Sequence, residues 1–295
     1  MTTFEGAESA ERRVALVTAD HLPAGMEDTA GLVDQLRGAG AEPTLVPWSD
    51  PHAAWDSFDR IMLHSPWDYS TRLAEFSGWL DNFTNDARMV NPAALISWNL
   101  DKRYLLDLAA KGVIIPLTLA QDVGRNFTEP ALTELAAGAP LVVKPAVGAG
   151  GGRTYRQSSA AEAIRLIRAE MPDEPVLVQR YEAMIEASGE FSVIYLGDSV
   201  SHVVRKTPGT REFRVQSQYG GTVTRLPVEP WMRDYARSVV GKLPGQPRYA
   251  RLDFIVDEAG TTKLMEIELA EPDLFLRYDD RSHRALADAI LDSPG

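Results

Sequence analysis

The sequence predicts an α/β protein with a parallel N-terminal lobe followed by two further lobes, the last of them antiparallel. Short β-branched runs alternate with helical segments up to about residue 90, which is the pattern of a parallel sheet. Beyond Gly189, strand-like runs follow one another with short turns, which is typical of antiparallel strands. The 295 residues exceed the usual size of one domain, so we expect closely packed lobes over residues 1–98, 99–185 and 186–295.

The first lobe is expected to contain three strands and one helix. The strands are predicted at 14–18, 44–47 and 60–64, and the helix at 29–39, where it ends before Gly40. Ligands usually bind at the loops that follow the strands of such a sheet. Two of these loops contain the candidate substrate residues, which are His21, His64, Trp67, Asp68 and Tyr69. Trp67 also suits a core position, whereas Asp68 suits a substrate ammonium group.

The second and third lobes are predicted from the same patterns. A helix at 99–110 is expected to be capped by Asn99 and ended by Gly112. The other elements of the second lobe are strands at 114–118, 141–144 and 176–179, and helices near 130–137 and at 160–170. The third lobe is expected to hold strands at 191–196 and 200–206, a helix at 231–243 and a hairpin at 251–269.

The composition limits the classes of function. A formal net charge of -12 argues against nucleic acid as a partner, because binding a phosphate backbone needs a basic surface. The absence of cysteine excludes disulfides, thiolate metal sites and cysteine nucleophiles. Residues 1–13 lack the apolar core of a signal peptide, and no stretch approaches the ~20 apolar residues of a membrane span. We therefore expect a cytoplasmic protein with a frayed first decade and no membrane partner; whether it forms a homodimer stays open.

The predicted hairpin carries a distinctive acidic pattern. Glu266 and Glu268 are two residues apart on one strand, so their side chains point to the same face. Asp253 on the neighbouring strand can lie on that face, although like charges repel each other across strands. A cation between the three carboxylates would remove the repulsion, and oxygen ligands suit Mg²⁺ or Mn²⁺. Taken alone, the pattern is more typical of a solvated acidic face.

A glycine-rich segment follows the predicted strand that ends at Lys144. Its glycines would let backbone N–H groups approach phosphate oxygens, with the lysine charge nearby; they are Gly148, Gly150, Gly151 and Gly152. The segment is not a Walker A loop, because the lysine precedes the glycines, and its spacing excludes a dinucleotide-binding fingerprint. A glycine run by itself is more often a flexible turn, so the pattern alone leaves both interpretations open.

The order of these parts along the chain narrows the interpretation. Lys102 on a predicted helix is followed by Lys144, the glycine segment, a strand ending near residue 180, Lys206 and finally the carboxylates. In this order, residues 98–276 resemble the ATP-grasp superfamily, which includes D-alanine–D-alanine ligase and glutathione synthetase. The resemblance implies a fold in which two lobes grip ATP between them. It also implies that ATP phosphorylates a substrate carboxylate and that a nucleophile then attacks the acyl phosphate.

The resemblance assigns the basic and glycine-rich positions to the nucleotide phosphates. It implies that Lys102 and Lys144 contact the α- and β-phosphates, and that Lys206 reaches the β- and γ-phosphates. It further implies that residues 148–152, here called the glycine flap, cover the phosphates and keep water from the acyl phosphate.

The resemblance places the nucleoside at the junction of the two gripping lobes. Gln179, Arg180 and Tyr181 match the hinge whose backbone reads the adenine edge. Glu190 matches the carboxylate that accepts the ribose hydroxyls. The connection 181–189 between them is long for the family.

At the metal end, the resemblance makes Asp253, Glu266 and Glu268 the ligands of Mg²⁺. Many members have asparagine at the position of Glu268, so this chain replaces an amide ligand by a carboxylate. Arg214 and Arg251 are our candidates for holding the substrate carboxylate or the transferred phosphoryl group, because arginine binds paired oxygens in a bidentate way.

The implied substrate is a small, amino-acid-like carboxylate that meets a nitrogen nucleophile. His21 or His64 could accept a proton from that nucleophile, although a lone histidine is more often a structural hydrogen-bonding residue. Gly220 and Gly221 either let the backbone approach a small substrate or form a simple turn.

Several short runs narrow the resemblance to one branch of bacterial ATP-grasp proteins. They lie at 65–69, 91–92, 98–102, 219–221 and 271–274. The branch includes O-ureido-D-serine cyclo-ligase of cycloserine biosynthesis, which implies ring closure to D-cycloserine with release of urea. An intermolecular ligase that joins an amino acid to an amine is the main alternative. Kinase-like phosphoryl transfer and a nucleotide-binding module without turnover are alternatives of other classes, and the intact set of lysines and carboxylates argues against the module.

Overall fold

The computed structural model describes residues 11–292, which form three sheets with helices packed around and between them. The expectation of a frayed first decade falls outside this range. Within it, no helix combines the length and the apolar character that crossing a membrane requires.

The N-terminal sheet is parallel, as predicted. It contains β1 (Arg12–Thr18), β2 (Ala41–Pro47) and β3 (Arg60–Ser65) in the order β2-β1-β3, and α1 (Thr29–Gly38) connects the first two strands. After β3 come α2 (Leu73–Asp81) and α3 (Ala93–Asn99). Residues 14–17 of the central strand β1 are an apolar run and fully inaccessible, because helices pack on both faces of the sheet.

The second sheet has four antiparallel strands in the order β4-β7-β5-β6. The elements of this part of the chain are, in order, α4 (Tyr104–Ala110), β4 (Thr118–Gln121), α5 (Glu129–Ala136), β5 (Leu141–Pro145), β6 (Tyr155–Gln157), α6 (Ala160–Glu170) and β7 (Val176–Arg180). Helix α6 begins where predicted, because the Ser159 hydroxyl caps it by accepting from the backbone N of Glu162 at 3.3 Å. The predicted strand at 114–118 is wrong, since β4 begins only at Thr118. The glycine flap connects β5 to β6.

The third sheet has five antiparallel strands in the order β10-β9-β8-β11-β12. Its elements are α7 (Met184–Ser188), β8 (Glu190–Leu196), β9 (Ser199–Thr207), β10 (Thr222–Leu226), α8 (Pro230–Val240), β11 (Tyr249–Val256), β12 (Thr262–Glu268) and α9 (Ser282–Leu291). The predicted strands and hairpin of this lobe are confirmed. Strand β10, which is mostly exposed at the edge of the sheet, was not predicted.

The predicted helix at 99–110 is wrong in its first turn. Helix α3 ends at Asn99 and α4 begins at Tyr104, so Lys102 lies in the turn between two helices and not on a helix. The side chain of Asn99 does not cap a helix. Its amide nitrogen donates to the carbonyl of Ile267 at 2.8 Å, and its oxygen accepts from the backbone N of Leu269 at 2.8 Å. Asn99 therefore fastens α3 to the end of β12, a tertiary contact that overrides the local capping signal.

Residues on both sides of the predicted lobe borders share hydrophobic cores. Leu105 and Leu108 of α4 are fully buried in one cluster with Leu252 and Phe254 of β11. In another cluster, α9 packs on α1. The division at residues 98/99 and 185/186 stays a prediction, and these shared cores hold the carboxylate hairpin against the turn that carries Lys102.

Candidate active site

The register of the β11–β12 hairpin sets the geometry of the acidic face. Asp253 pairs with Glu266 and Arg251 pairs with Glu268, and a bulge follows Asp253. Four charged side chains thus occupy one face, three of them acidic and one basic. The predicted placement of the three carboxylates on one face is confirmed, and an arginine lies among them.

Each carboxylate of this face has a cationic partner. Arg251 donates from Nε to Asp253 Oδ1 at 3.1 Å and from Nη2 to Asp253 Oδ2 at 3.0 Å, and it also pairs with Glu268. The Nζ of Lys102 lies 2.9 Å from Glu266 Oε1. Between residues 11 and 292, no three His, Cys, Asp or Glu side chains are arranged to hold a metal ion in this conformation.

Lys206 and Glu190 join the cluster from the neighbouring strands. They face each other across β8 and β9, and Lys206 Nζ lies 2.5 Å from Glu190 Oε1 and 3.0 Å from Asp253 Oδ2. Ser192 donates to Asp253 Oδ1 at 2.5 Å. The predicted ribose carboxylate and the predicted phosphate-binding lysine are thus in contact with each other and lie beside the predicted metal ligands.

Burial and charge separate the pKa values of the carboxylates. Burial alone would raise the pKa of Asp253, but Arg251 and Lys206 lower it to about 2. For Glu268, burial dominates and raises the pKa to about 8; Arg251 opposes the rise, while Glu266 and Asp253 add to it. The hairpin face carries three carboxylates and only one arginine, so it holds more negative charge than its own cation offsets. A divalent cation with oxygen ligands would supply the missing charge, so the donor set fits Mg²⁺.

The two predicted phosphate lysines lie close to the acidic face. Lys102 donates from Nζ to the carbonyl of Gly148 at 2.5 Å, in addition to its contact with Glu266. Lys144 ends β5 and is half-buried, and no carboxylate of residues 11–292 lies within ion-pair distance of it. Burial and the neighbouring charge of Lys102 lower the pKa of Lys144. An anionic ligand would therefore meet an uncompensated cation here.

The glycine flap takes a conformation that favours glycine. Gly150 and Gly151 have φ of 61° and 69°, and a Cβ at Gly151 would come within 2.8 Å of the Gln216 side chain. Gln218 donates to the carbonyl of Gly150 at 2.9 Å. The flap thus contacts Lys102 on one side and the segment that precedes β10 on the other.

The predicted hinge is built into the second sheet. The side chain of Gln179 donates to Thr118 Oγ1 at 3.0 Å. The backbone N of Arg180 donates to Leu117 and that of Tyr181 to Pro140, both at 2.9 Å. The adenine role of this segment stays a prediction, and two of its amide donors are already used inside the protein.

The two predicted catalytic arginines differ in their surroundings. Arg251 lies in the carboxylate cluster, and its remaining Nη1 donates to the carbonyl of Asp273 at 3.2 Å. Arg214 donates from Nη2 to Glu212 at 2.8 Å, and its guanidinium lies 3.6 Å from the ring centroid of Tyr219. Arg251 is thus primarily a counter-ion of the site carboxylates, whereas the contacts of Arg214 lie outside the cluster.

For Gly220 and Gly221, the contacts support the turn. Gly220 has φ of 81°, and its backbone N donates to Ser217 at 2.9 Å. A Cβ at Gly221 would come 2.1 Å from the carbonyl oxygen of Val215. Glycine is needed here because the chain folds back on itself, a reason that involves no substrate.

The two predicted proton acceptors, His64 and His21, have different surroundings. His64 is 3% exposed, its Nε2 lies 2.7 Å from Thr29 Oγ1, and burial lowers its pKa to about 4. In this conformation the side chain of His64 links β3 to α1, and its role as a proton acceptor stays a prediction. His21 lies exposed in the loop after β1.

The predicted ammonium partner Asp68 is already compensated. It accepts from Trp48 Nε1 at 2.7 Å and pairs with Arg72 at 3.3 Å. Two contacts of its neighbours lead to a residue that we did not predict as part of the site. Trp67 Nε1 donates to the carbonyl of Glu271 at 3.0 Å, and the Tyr69 hydroxyl hydrogen-bonds to the Glu271 carboxylate.

Glu271 follows β12 and is 7% exposed. Burial raises its pKa to about 7, against the lowering effects of Tyr69 and Lys102. The sequence signal was its position, three residues after Glu268 in the run 271–274. Its place in the site was not predicted, because the two-residue period of a strand does not tell where a side chain points beyond the end of that strand.

The buried histidine leads to a prediction about stability. Because the folded protein keeps His64 neutral while the unfolded chain takes up a proton near pH 6.5, stability is lost as the pH falls from 6.5 towards 4. This lowering of the pKa corresponds to about 3 kcal/mol. In His64→Gln the glutamine can still hydrogen-bond to Thr29. The part of the stability loss at acid pH that comes from His64 should be absent in this variant. Urea unfolding of both proteins at pH 7 and 4.5 measures it, and identical pH slopes would refute the assignment.

Comparison with known proteins shows that the chain is similar to the D-cycloserine synthetase DcsG. The family described as D-cycloserine synthetase DcsG, N-terminal domain, matches residues 14–91. The cycloserine biosynthesis protein DcsG of Streptomyces lavendulae is 26% identical over 282 residues, which cover 90% of this chain and 93% of that protein. The crystal structure of D-cycloserine synthetase DcsG has a TM-score of 0.84 at 25% identity, covering 94% of this chain and 98% of that chain.

Ligases of the wider fold are also similar. A D-alanine–D-alanine ligase of Laribacter hongkongensis is 28% identical over 285 residues, which cover 90% of this chain and 84% of that enzyme. The ATP-grasp ligase PsnB, in a complex with Mg and ADP, has a TM-score of 0.65 at 15% identity over 96% of this chain and 99% of that chain, a likeness of fold. The chain is therefore similar to the D-cycloserine synthetase DcsG over nearly the whole of both chains, and it has the fold of ATP-grasp ligases.

Proposed function

We propose that this protein is an ATP-dependent ligase that closes the ring of O-ureido-D-serine to give D-cycloserine. The observation that carries the proposal is the similarity to DcsG over nearly the whole of both chains, in sequence and in structure. The buried cluster of lysines and carboxylates supports it, because ATP-dependent carboxylate activation requires such charges.

Binding of ATP would rearrange the ion pairs of the cluster. Lys144 has no carboxylate partner to give up among the described residues, and Lys102 would exchange Glu266 for phosphate oxygens. Glu266, released from Lys102, would then join Asp253 and Glu268 in holding Mg²⁺. Bound there, the metal would neutralise charge on the transferred phosphoryl group.

The first chemical step is phosphoryl transfer. A carboxylate oxygen of the substrate attacks the γ-phosphorus of ATP, the bond to the β,γ-bridging oxygen breaks, and ADP leaves. Lys206 lies within the cluster, where it would stabilise the charge on the oxygens that gain and lose the phosphoryl group. The glycine flap, tied to Lys102 through Gly148, would close over the acyl phosphate and keep water away.

The second step closes the ring. The nitrogen that is bonded to oxygen in the substrate attacks the acyl phosphate carbon and gives up its proton to solvent, and phosphate leaves with the former carboxylate oxygen. The ring nitrogen still carries the carbamoyl group, which water removes as carbamic acid, giving carbon dioxide and ammonia. The expected release of urea is wrong by nitrogen count, since the substrate has three nitrogens and D-cycloserine keeps two of them.

A second candidate is an intermolecular ligase that joins an amino acid to an amine. The 28% identity to a D-alanine–D-alanine ligase over most of the chain favours it. Both candidates share the acyl phosphate and differ in whether the nucleophile belongs to the same molecule. A kinase would instead stop at a stable phosphorylated product.

Mass spectrometry of the products tests the proposal. Purified protein with ATP, Mg²⁺ and O-ureido-D-serine should give D-cycloserine and one ADP per ring closed, and Lys144→Met should give neither. Absence of D-cycloserine together with absence of substrate-dependent ADP would refute ring closure. ADP release and a dipeptide mass with pairs of small amino acids would then support the intermolecular ligase.

A further inference from the structure

One buried carboxylate of the site, that of Glu271, has no counter-ion in the described part of the chain. Four other carboxylates are buried among residues 11–292, and each forms an ion pair: Asp28 with Arg277, Glu190 and Asp253 with Lys206, and Asp279 with Arg225. Glu271 forms none with any described residue and accepts its hydrogen bond from the neutral Tyr69. An uncompensated buried charge is costly. A carboxylate buried at this position therefore points to a cationic ligand.

The nearest cations are committed to other groups. Lys102 contacts Glu266 and the carbonyl of Gly148. Arg251 contacts Asp253, Glu268 and the carbonyl of Asp273. In the proposed function Lys102 moves to the ATP phosphates, which leaves Glu271 with still less positive charge nearby.

The position of Glu271 matches one part of an amino-acid substrate. In an α-amino acid the reacting carboxylate and the ammonium group are attached to the same carbon, so the ammonium must bind beside the metal end of the site. Glu271 lies three residues beyond Glu268, at the junction between the end of β12 and the loop that carries Trp67 and Tyr69. Asp68, the other acidic residue of that loop, is taken by Trp48 and Arg72.

We propose that Glu271 binds the α-ammonium group of the substrate, with Tyr69 orienting its carboxylate. This inference rests on the proposed function, and it identifies the ligand as an amino acid with a free amine. An ammonium group can donate to the carboxylate and restores charge balance at Glu271. Mg²⁺ fits this position less well, because the other predicted oxygen ligands lie together on the hairpin face.

Calorimetric titration of wild type and Glu271→Gln tests the proposal. Both proteins are loaded with Mg²⁺ and a non-hydrolysable ATP analogue and titrated with O-ureido-D-serine or with its analogue that lacks the amine. Wild type should bind the amine ligand about 100-fold more tightly than the analogue, the scale expected for a buried charge pair. Glu271→Gln should lose about this factor for the amine ligand and bind the analogue unchanged. Glu258→Gln, an exposed residue of the β11–β12 turn, should match wild type.

A stability measurement separates this role from a structural one. Without substrate, Glu271→Gln should melt at or above the temperature of wild type at pH 8, because it removes an unpaired buried charge. An equal loss of affinity for both ligands, or a lower melting temperature, would overturn the proposal. A fall in kcat with unchanged affinity would overturn it in favour of a general base.

Failure of the proposed ammonium site and failure of the proposed function would give different results. If the amine ligand binds in a Glu271-dependent way but no D-cycloserine forms, ring closure is refuted and the ammonium site stands. If D-cycloserine forms while Glu271→Gln binds and reacts like wild type, ring closure stands and the ammonium site is refuted.

Discussion

Replacing Glu266 with glutamine is expected to lower ATP-dependent turnover by about 100-fold or more, because the variant would lose a proposed, charged ligand of Mg²⁺. Glu266 is the carboxylate opposite Asp253, and Lys102 and Lys144 lower its pKa against the effect of burial, so it is available as an anion. ADP release as a function of Mg²⁺ concentration measures the effect, and the deficit should be smallest at the highest Mg²⁺ concentration.

The matched control for Glu266 lies on the same hairpin. Glu258 is exposed in the turn between β11 and β12, so Glu258→Gln removes one charge without touching the cluster and should keep full activity. Both variants should show the circular dichroism spectrum of wild type. Full activity in Glu266→Gln would show that the metal assignment is wrong.

Replacing Arg251 with methionine is expected to reduce the free energy of unfolding by about 3–5 kcal/mol, the usual cost of leaving a buried ion pair without one partner. Arg251 is 8% exposed and is the counter-ion of both Asp253 and Glu268. Methionine preserves much of the length of the side chain, so the loss reports the charge more than the packing.

Urea unfolding at neutral pH measures this loss. Arg237→Met, whose side chain is 80% exposed, should change the free energy of unfolding by no more than about 0.5 kcal/mol. A loss below about 1 kcal/mol in Arg251→Met would contradict the assigned role.

Local patterns in the sequence were sufficient for most of the fold. The parallel N-terminal sheet follows from short apolar runs that alternate with helices, and β1 shows why, since its residues 14–17 are buried on both sides. The shared face of Glu266 and Glu268 follows from the two-residue period of a strand. These features depend on neighbouring residues only, and the structure confirms them.

The unpredicted parts of the candidate site depend on pairing between distant residues. The register of the hairpin places Arg251 opposite Glu268, which makes it a counter-ion of the cluster. The sequence around Asn99 has the pattern of a helix cap, but the Asn99 side chain instead hydrogen-bonds to two buried backbone groups at the end of β12. The carboxylate of Glu271 became part of the site only because the loop with Tyr69 folds against it. None of these contacts can be read from spacing along the chain.

If ATP activates the substrate carboxylate as an acyl phosphate, one carboxylate oxygen must pass to the released phosphate. O-ureido-D-serine labelled with ¹⁸O in both carboxylate oxygens is incubated with the protein, ATP and Mg²⁺, and the released phosphate is analysed by mass spectrometry. We expect each phosphate formed with D-cycloserine to carry one ¹⁸O atom. Phosphate without ¹⁸O, at normal yields of D-cycloserine, would contradict it.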